Sequence, residues 1–272
     1  MLKCKGRDLA FFNQTVREIK MKLLRAQKDG EVFYAELMDG VLKRLAGPPY
    51  GEIAYTGDEY DMAEVRLLPP SEPSKIVAVG LNYAKHADEM KERLIGNPVL
   101  FLKPTTALIA HGDEIVWPAA SQRVDYEAEV AVVIGKTCKN VSPEEAPAHI
   151  FGYTALNDVT ARDLQKADGQ WTRAKSFDTF CPVGPTIETD YTPAGRRVQS
   201  VLDGVVKQDG STDDMLFSPV ELVSFISQCM TLLPGDIVAT GTPEGIGPVR
   251  RGGVVEIRIE GLDTLVNGIA DR

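Results

Sequence analysis

Residues 124–135 read VDYEAEVAVVIG, and this stretch decides the fold. Its second half, VAVVIG, is one of the most apolar runs in the chain and reads as a buried strand. Its first half carries Glu127 and Glu129, two residues apart. In a strand, residues i and i+2 point to the same face, so the two carboxylates project side by side, roughly 6–7 Å apart at the backbone. Such a pair is ordinarily the wet face of an alternating strand. Here it runs straight into an apolar segment, and two buried carboxylates need a counter-charge. A hard divalent cation supplies one and lowers the pKa of both acids.

Working outward, a third oxygen ligand is available in GYTALNDVTARDLQ, where Asp158 ends a strand-like run and TARDLQ reads as the start of a helix. Asp at such a junction is also an ordinary cap or turn residue. Arg162 and Gln165 follow four and seven residues on, near one helical face with Asp158, and suit an anionic ligand. In WTRAKSFDTFCPVGP, Lys175 lies among Trp171, Phe177 and Phe180. It is either an exposed lysine or a cation able to stabilise an enolate beside a metal-bound carbonyl. In NYAKHADEM, His86 and Glu89 are i and i+3 on a polar helix, the spacing of an oriented general base. The same helix also reads as a solvated face of charge pairs such as Lys85–Glu89. ATGTPEGIGP is neither a dinucleotide loop nor a P-loop; its glycines let backbone approach a ligand closely.

The rest of the chain is strand-rich. Residues 21–68 alternate short apolar runs with Gly and Asp turns, forming a small β unit, and LLPPSEPSK, with prolines at 69, 70 and 73, is the linker candidate. KIVAVGLNY is a buried strand ending at Gly80, followed by the polar helix that Asn82 can cap. VLDGVVKQDGS reads as a hairpin about Asp203-Gly204. SPVELVSFISQCMTL reads as an amphipathic helix with Ser218 as cap and Pro219 first. With many strands and no regular βαβ alternation, the expected class is β-rich α+β rather than a Rossmann sheet. The expected divisions are an extension over 1–20, a small N-terminal domain over 21–70 and a catalytic domain over 71–272.

Composition narrows the function. The 272 residues are 43% hydrophobic and 25% charged, ordinary for a globular protein, and no apolar run approaches a membrane span. A net charge of −9 argues against nucleic acid but not against an anionic small substrate, since a bound metal reverses the local sign. The four cysteines form no C-x-x-C pair and read as reduced thiols of a cytoplasmic protein. Three histidines far apart make a His-rich zinc site a poor expectation. Residues 1–20 lack a signal-peptide core, and Met21 is the expected natural start; an intact mass matching a Met1 start would sink that reading.

The segments VGLNYAKHADEM, PVLFLKP, DYEAEVAVVIG, LNDVTARDLQ, AKSFDTFCPVGP, MLFSPVELVSFIS and LPGDIVATGTPEGIGPV, in this order, resemble the fumarylacetoacetate hydrolase family across roughly residues 75–270. They look most like its small members, the acylpyruvases, oxaloacetate decarboxylases and homoprotocatechuate-pathway isomerase/decarboxylases. The resemblance implies a mixed β-sandwich or β-roll catalytic domain behind a small N-terminal domain, usually dimeric. It implies Mg²⁺ or Mn²⁺, with Ca²⁺ as a crystallisation substitute, held by Glu127, Glu129 and Asp158. It implies Lys175 as catalytic lysine and His86–Glu89 as water-activating dyad. Arg162, Gln165 and Thr242 match residues near the substrate. The larger fumarylacetoacetases carry a further aspartate ligand before the histidine, which GLNYAKH lacks, and this favours the small-enzyme branch. The expected activity is hydrolytic or decarboxylative C–C cleavage of an acylpyruvate or 2-oxo dicarboxylate. The alternatives are a 2-hydroxyhepta-2,4-diene-1,7-dioate isomerase of aromatic catabolism and a non-catalytic metal- or ligand-binding module, which would not need the His–Glu pair. Residues contacting the far end of the substrate are expected in MKERLIGNP and QKADGQW.

Overall fold

The structure, a computed structural model, describes residues 20–90 and 96–270. The expected extension therefore lies, apart from Lys20, outside the described residues, as does most of MKERLIGNP. The strand Ala128–Ile134 sits inside a large sheet, flanked by Ile150–Asn157 and Ile237–Ala239. On one side the sheet continues through Cys181–Glu188, Lys22–Lys28, Glu31–Met38, Val41–Leu45 and Tyr55–Asp61. On the other it continues through Ile76–Gly80 and Val99–Lys103. A second sheet, ordered Val205–Ser211, Arg197–Leu202, Val254–Ile259, Leu265–Ile269 and Glu114–Ile115, packs across it.

The apolar run at 130–134 follows from this sandwich. Val130, Val132 and Ile134 face the second sheet and share a core with Val198, Val255 and Ile257. Ala131 faces the other way, into a core with Ile76, Leu156, Val183 and Ile237. A strand covered on both faces has no polar alternation.

The chain is not one continuous strand through the two glutamates. Val124–Tyr126 pairs with Thr160–Ala161 and Gly247–Pro248 in a small third sheet, and Ala128–Ile134 pairs in the large one. Glu127 is the break between them, its N–H donating 3.0 Å to the Asn157 side chain. The β-rich unit at 21–70 keeps a small core of Leu24, Ala26, Phe33, Ala35 and Leu42. Its first strand nevertheless pairs directly with Cys181–Glu188, Leu23 opposite Ile187, so the large sheet is shared.

The hairpin turn uses positive φ at Asp203 (49°) and Gly204 (79°), as its sequence requires. The helices are α1 (Ala84–Met90), α2 (Arg162–Asp168), α3 (Thr172–Lys175) and α4 (Pro219–Cys229). α4 begins with the expected box: Ser218 Oγ accepts from Glu221 N–H, and Glu221 accepts from Ser218 N–H at 2.8 Å. Asn82 is not used as a cap of α1. Its Nδ2 donates to the carbonyls of Phe217 and Thr240, and its Oδ1 accepts from Phe217 N–H at 2.9 Å, tying three segments together. Among the described residues no helix is long and apolar enough to cross a membrane.

Candidate active site

The backbone break at Glu127 lets the acid strand deliver two carboxylates to one point. Glu127, Glu129 and Asp158 each offer an oxygen within 4.8 Å of the others, and all three are buried. Asp158 follows the end of Ile150–Asn157 and donates its N–H to the Glu127 carbonyl at 2.9 Å, which fixes the two acid segments against each other.

Cations surround this cluster. Lys175, the last residue of α3, donates to Glu127 and to Asp158, 2.7 Å each. Lys103 ends an edge strand and donates to the other Asp158 oxygen at 2.5 Å; it is 1% exposed. Arg162 opens α2 and spans Asp125 (2.9 Å), Glu127 and the Gln165 side-chain oxygen Oε1 (2.5 Å). Asp158 does not share a helical face with these residues: Thr160–Ala161 intervenes and α2 starts only at Arg162, so Arg162, Gln165 and Asp158 converge through the fold. Arg162 is also largely committed to protein acceptors.

Glu129 differs from its neighbours. Its hydrogen-bond donor is the Gly241 N–H at 2.7 Å, and among the described residues no cation pairs with it. Lys103, Lys175 and Arg162, with Arg123 on Asp125 at 2.8 Å, gather on Asp125, Glu127 and Asp158, so Glu129 is the one acid of the cluster that no cation pairs with among the described residues. Burial, then the charges of Asp158 and Glu127, push the Glu129 carboxyl well above its usual range. Burial works the same way on Glu127, but Lys175, Arg162 and His86 overcome it and hold that carboxyl far below the usual range. Burial lowers the Lys175 ammonium, and Asp158 and Glu127 more than restore it. Closely set carboxylate oxygens, one acid of which has no cation partner, suit a hard divalent cation.

The cluster forms the floor of a cavity of about 250 Å³. Phe101 and Trp171, edge to face at 5.3 Å, form one wall with Val79 and Leu81. Gly80 is required there: a Cβ would lie 2.3 Å from the Trp171 ring. His86, Gln165, Lys166 and Thr242 complete the lining. His86 Nδ1 is 3.3 Å from Glu89, and Glu89 is held by the Gly245 N–H at 3.2 Å. Burial lowers the His86 pKa, and Glu127 and Glu89 offset only part of that, so the ring favours its neutral form. Lys85 does not pair with Glu89 along the helix; it reaches Glu244 at 3.5 Å, so α1 is fastened to the glycine loop at both residues.

All nine residues singled out from the sequence thus lie at or beside one cavity, with Glu89 behind His86. Sequence reasoning missed Lys103, Asp125 and Gln208, whose signals are weak: a lysine before a proline at a strand end, an acid two before Glu127, and a lone amide in a hairpin.

Residues 75–270 match the family described as fumarylacetoacetate (FAA) hydrolase C-terminal, and residues 21–70 match the Rv2993c-like N-terminal family. A 2-hydroxyhepta-2,4-diene-1,7-dioate isomerase from Mycobacterium marinum is 44% identical, with TM-score 0.86 over 92% of this chain and 98% of that one. The mitochondrial oxaloacetate tautomerase Fahd2a of Rattus norvegicus is 39% identical over 75% of this chain and 68% of its own. A fumarylpyruvate hydrolase from Pseudomonas aeruginosa, solved with Mn²⁺ and pyruvate, is 33% identical, with TM-score 0.69 over 75% of this chain and 91% of that one. The β-rich α+β sandwich is the one the two solved relatives share, and the chain belongs to the fumarylacetoacetate hydrolase family.

Proposed function

We propose that the protein is a divalent-metal-dependent enzyme that enolises 2-oxo acids and cleaves a C–C bond of an acylpyruvate or 2-oxo dicarboxylate by hydrolysis or decarboxylation. The observation that carries this is the placement of three converging carboxylates, the Lys175 ammonium and the His86–Glu89 pair around one small cavity. In this reading Glu127, Glu129 and Asp158 hold Mg²⁺ or Mn²⁺, which would supply Lewis acidity at the 2-oxo oxygen. Lys175 sets a positive charge where the oxygen of the departing pyruvate enolate gains negative charge. Glu89 accepts from His86 Nδ1–H, fixes the tautomer and leaves Nε2 to take a proton from water. That water attacks the distal carbonyl of an acylpyruvate. With oxaloacetate the distal carboxylate leaves as CO₂ and no attacking water is needed. Gln165, Thr242 and the remaining donors of Arg162 bind and orient the acid.

A second reading, isomerisation, is favoured by the names of the mycobacterial and rat relatives. It uses the same enolate and returns the proton to another carbon, so it needs Lys175 but no attacking water. The working form is taken to be a cytoplasmic homodimer, which light scattering checks.

The test offers oxaloacetate, acetylpyruvate and fumarylpyruvate with Mg²⁺, with Mn²⁺ and with chelator. Metal-dependent pyruvate release is the expected result. Metal-dependent loss of enol absorbance without pyruvate selects the isomerase reading. Neither signal overturns both.

A further inference from the structure

Gln208 lies outside the cavity lining, on the Val205–Ser211 strand of the second sheet, yet its side chain reaches into the site's framework. It is fully buried, and every polar atom of its amide is used. Oε1 accepts from the Ala128 N–H at 2.9 Å; Nε2 donates to Thr242 Oγ1 and to the Pro243 carbonyl, 2.8 Å each. The amide cannot be turned over. Ala128 N–H is a donor only and the Pro243 carbonyl an acceptor only, so each end is fixed by a partner with one possible role.

This orientation dictates the polarity of Thr242. Its hydroxyl oxygen already accepts from Gln208, so the bond between them cannot use the hydroxyl proton. Among the described residues no hydrogen bond has that hydroxyl as donor, and Thr242 lines the cavity while being 2% exposed. We propose that Gln208 is a positioning residue that keeps the Thr242 hydroxyl proton free for the cavity, so that this corner donates a hydrogen bond to an anionic or carbonyl oxygen of the ligand. It rests on the reading of the cavity as a 2-oxo acid site and adds a residue that the cavity wall does not contain. The Ala128 arm has a second effect: it anchors the peptide between Glu127 and Glu129.

The test measures oxalate binding by calorimetry to the Mn²⁺-loaded protein and Mn²⁺ binding to the metal-free protein. Gln208→Glu keeps the shape and the acceptor for Ala128 but turns the Thr242 contact round, because a carboxylate accepts the hydroxyl proton. Oxalate affinity is expected to fall about tenfold or more, with Mn²⁺ affinity within about threefold. In a Thr242→Ala background the same change should then have no further effect on oxalate. Thr242→Val, which leaves Gln208 untouched and does not depend on a buried charge folding, should lose oxalate affinity to the same degree, and Thr242→Ser should restore it. Unchanged oxalate affinity in Thr242→Val, or an equal Gln208→Glu effect with and without Thr242, overturns the proposal. If the wild-type protein binds Mn²⁺ but not oxalate, the 2-oxo acid reading fails. The polarity of Thr242 is then decided by neutron diffraction, where a deuteron aimed at Gln208 overturns it and one aimed into the cavity upholds it.

Discussion

Lys103→Met isolates the electrostatics of the acid cluster. Lys103 is buried, does not line the cavity, and donates to Asp158 at 2.5 Å. Methionine fills nearly the same volume without charge. Removing one partner of a buried ion pair costs about 3–5 kcal/mol, because the other charge stays buried. Asp158 keeps its 2.7 Å bond from Lys175, so the lower end, about 3 kcal/mol, applies. At about 2–4 °C per kcal/mol for a chain of this size, the metal-free variant should melt about 6–12 °C below wild type. The same change removes one positive charge from beside the carboxylates, which favours a dication. Mn²⁺ should therefore raise the variant's melting temperature more than it raises that of wild type, as expected for tighter binding to the native state. Thermal melts with chelator and with a Mn²⁺ series read both effects. Equal melting temperatures together with equal Mn²⁺ shifts would refute the charge balance described here.

Other outcomes follow from the same geometry. His86→Gln should cut acylpyruvate hydrolysis by about 10²–10⁴ while sparing oxaloacetate decarboxylation; equal losses in parallel kinetic assays would remove the water-activating role. The Glu129 carboxyl titrates above its unfolded value. Its contribution to stability is therefore full below the ordinary carboxylate range and is lost as pH rises through the raised value, so chelated protein should melt lower with rising pH. Glu129→Gln should flatten that slope, and an unchanged slope in melts across pH would count against the assignment. Gly241→Ala places a Cβ 2.8 Å from that of Asn82 at a φ of +95°, so a loss of about 1–3 kcal/mol in denaturant unfolding is expected, with weaker Mn²⁺ binding through the displaced Glu129.

The chemistry was more legible than its scaffolding. Glu127 and Glu129 are legible as a pair because their two-residue spacing beside an apolar run is a local property that sequence displays. The break at Glu127 was not visible, because it arises where one chain leaves one sheet for another, and pairing partners lie far away in sequence. Ser218 and Glu221 were readable because both partners of the box sit within four residues. Asn82 misled for the opposite reason: its partners Phe217 and Thr240 are 135 and 158 residues on, and they outcompete the adjacent helix end. Lys103, Asp125 and Gln208 likewise gain meaning only from contacts across the fold. The sequence suggests an Arg162 open to an anion, but in the fold three of its donors serve Asp125, Glu127 and Gln165.

The shared large sheet also sets a timetable for synthesis. Thr189 N–H donates to the Met21 carbonyl at 3.1 Å and Met21 N–H to Thr189 Oγ1 at 3.0 Å, across a sequence separation of 168 residues and beside the pairing of Lys22–Lys28 with Cys181–Glu188. At roughly 5–20 residues per second, a ribosome takes about 8–34 s to emit that intervening chain. For that interval Lys22 and Leu23 wait for their partners, while residues 25–27 can already pair with Arg66–Leu68. The Cys181–Glu188 strand thus emerges onto an N-terminal unit that has had time to form its own core, and Ile237–Ala239, later still, closes the sheet between Ala128–Ile134 and Ile76–Gly80.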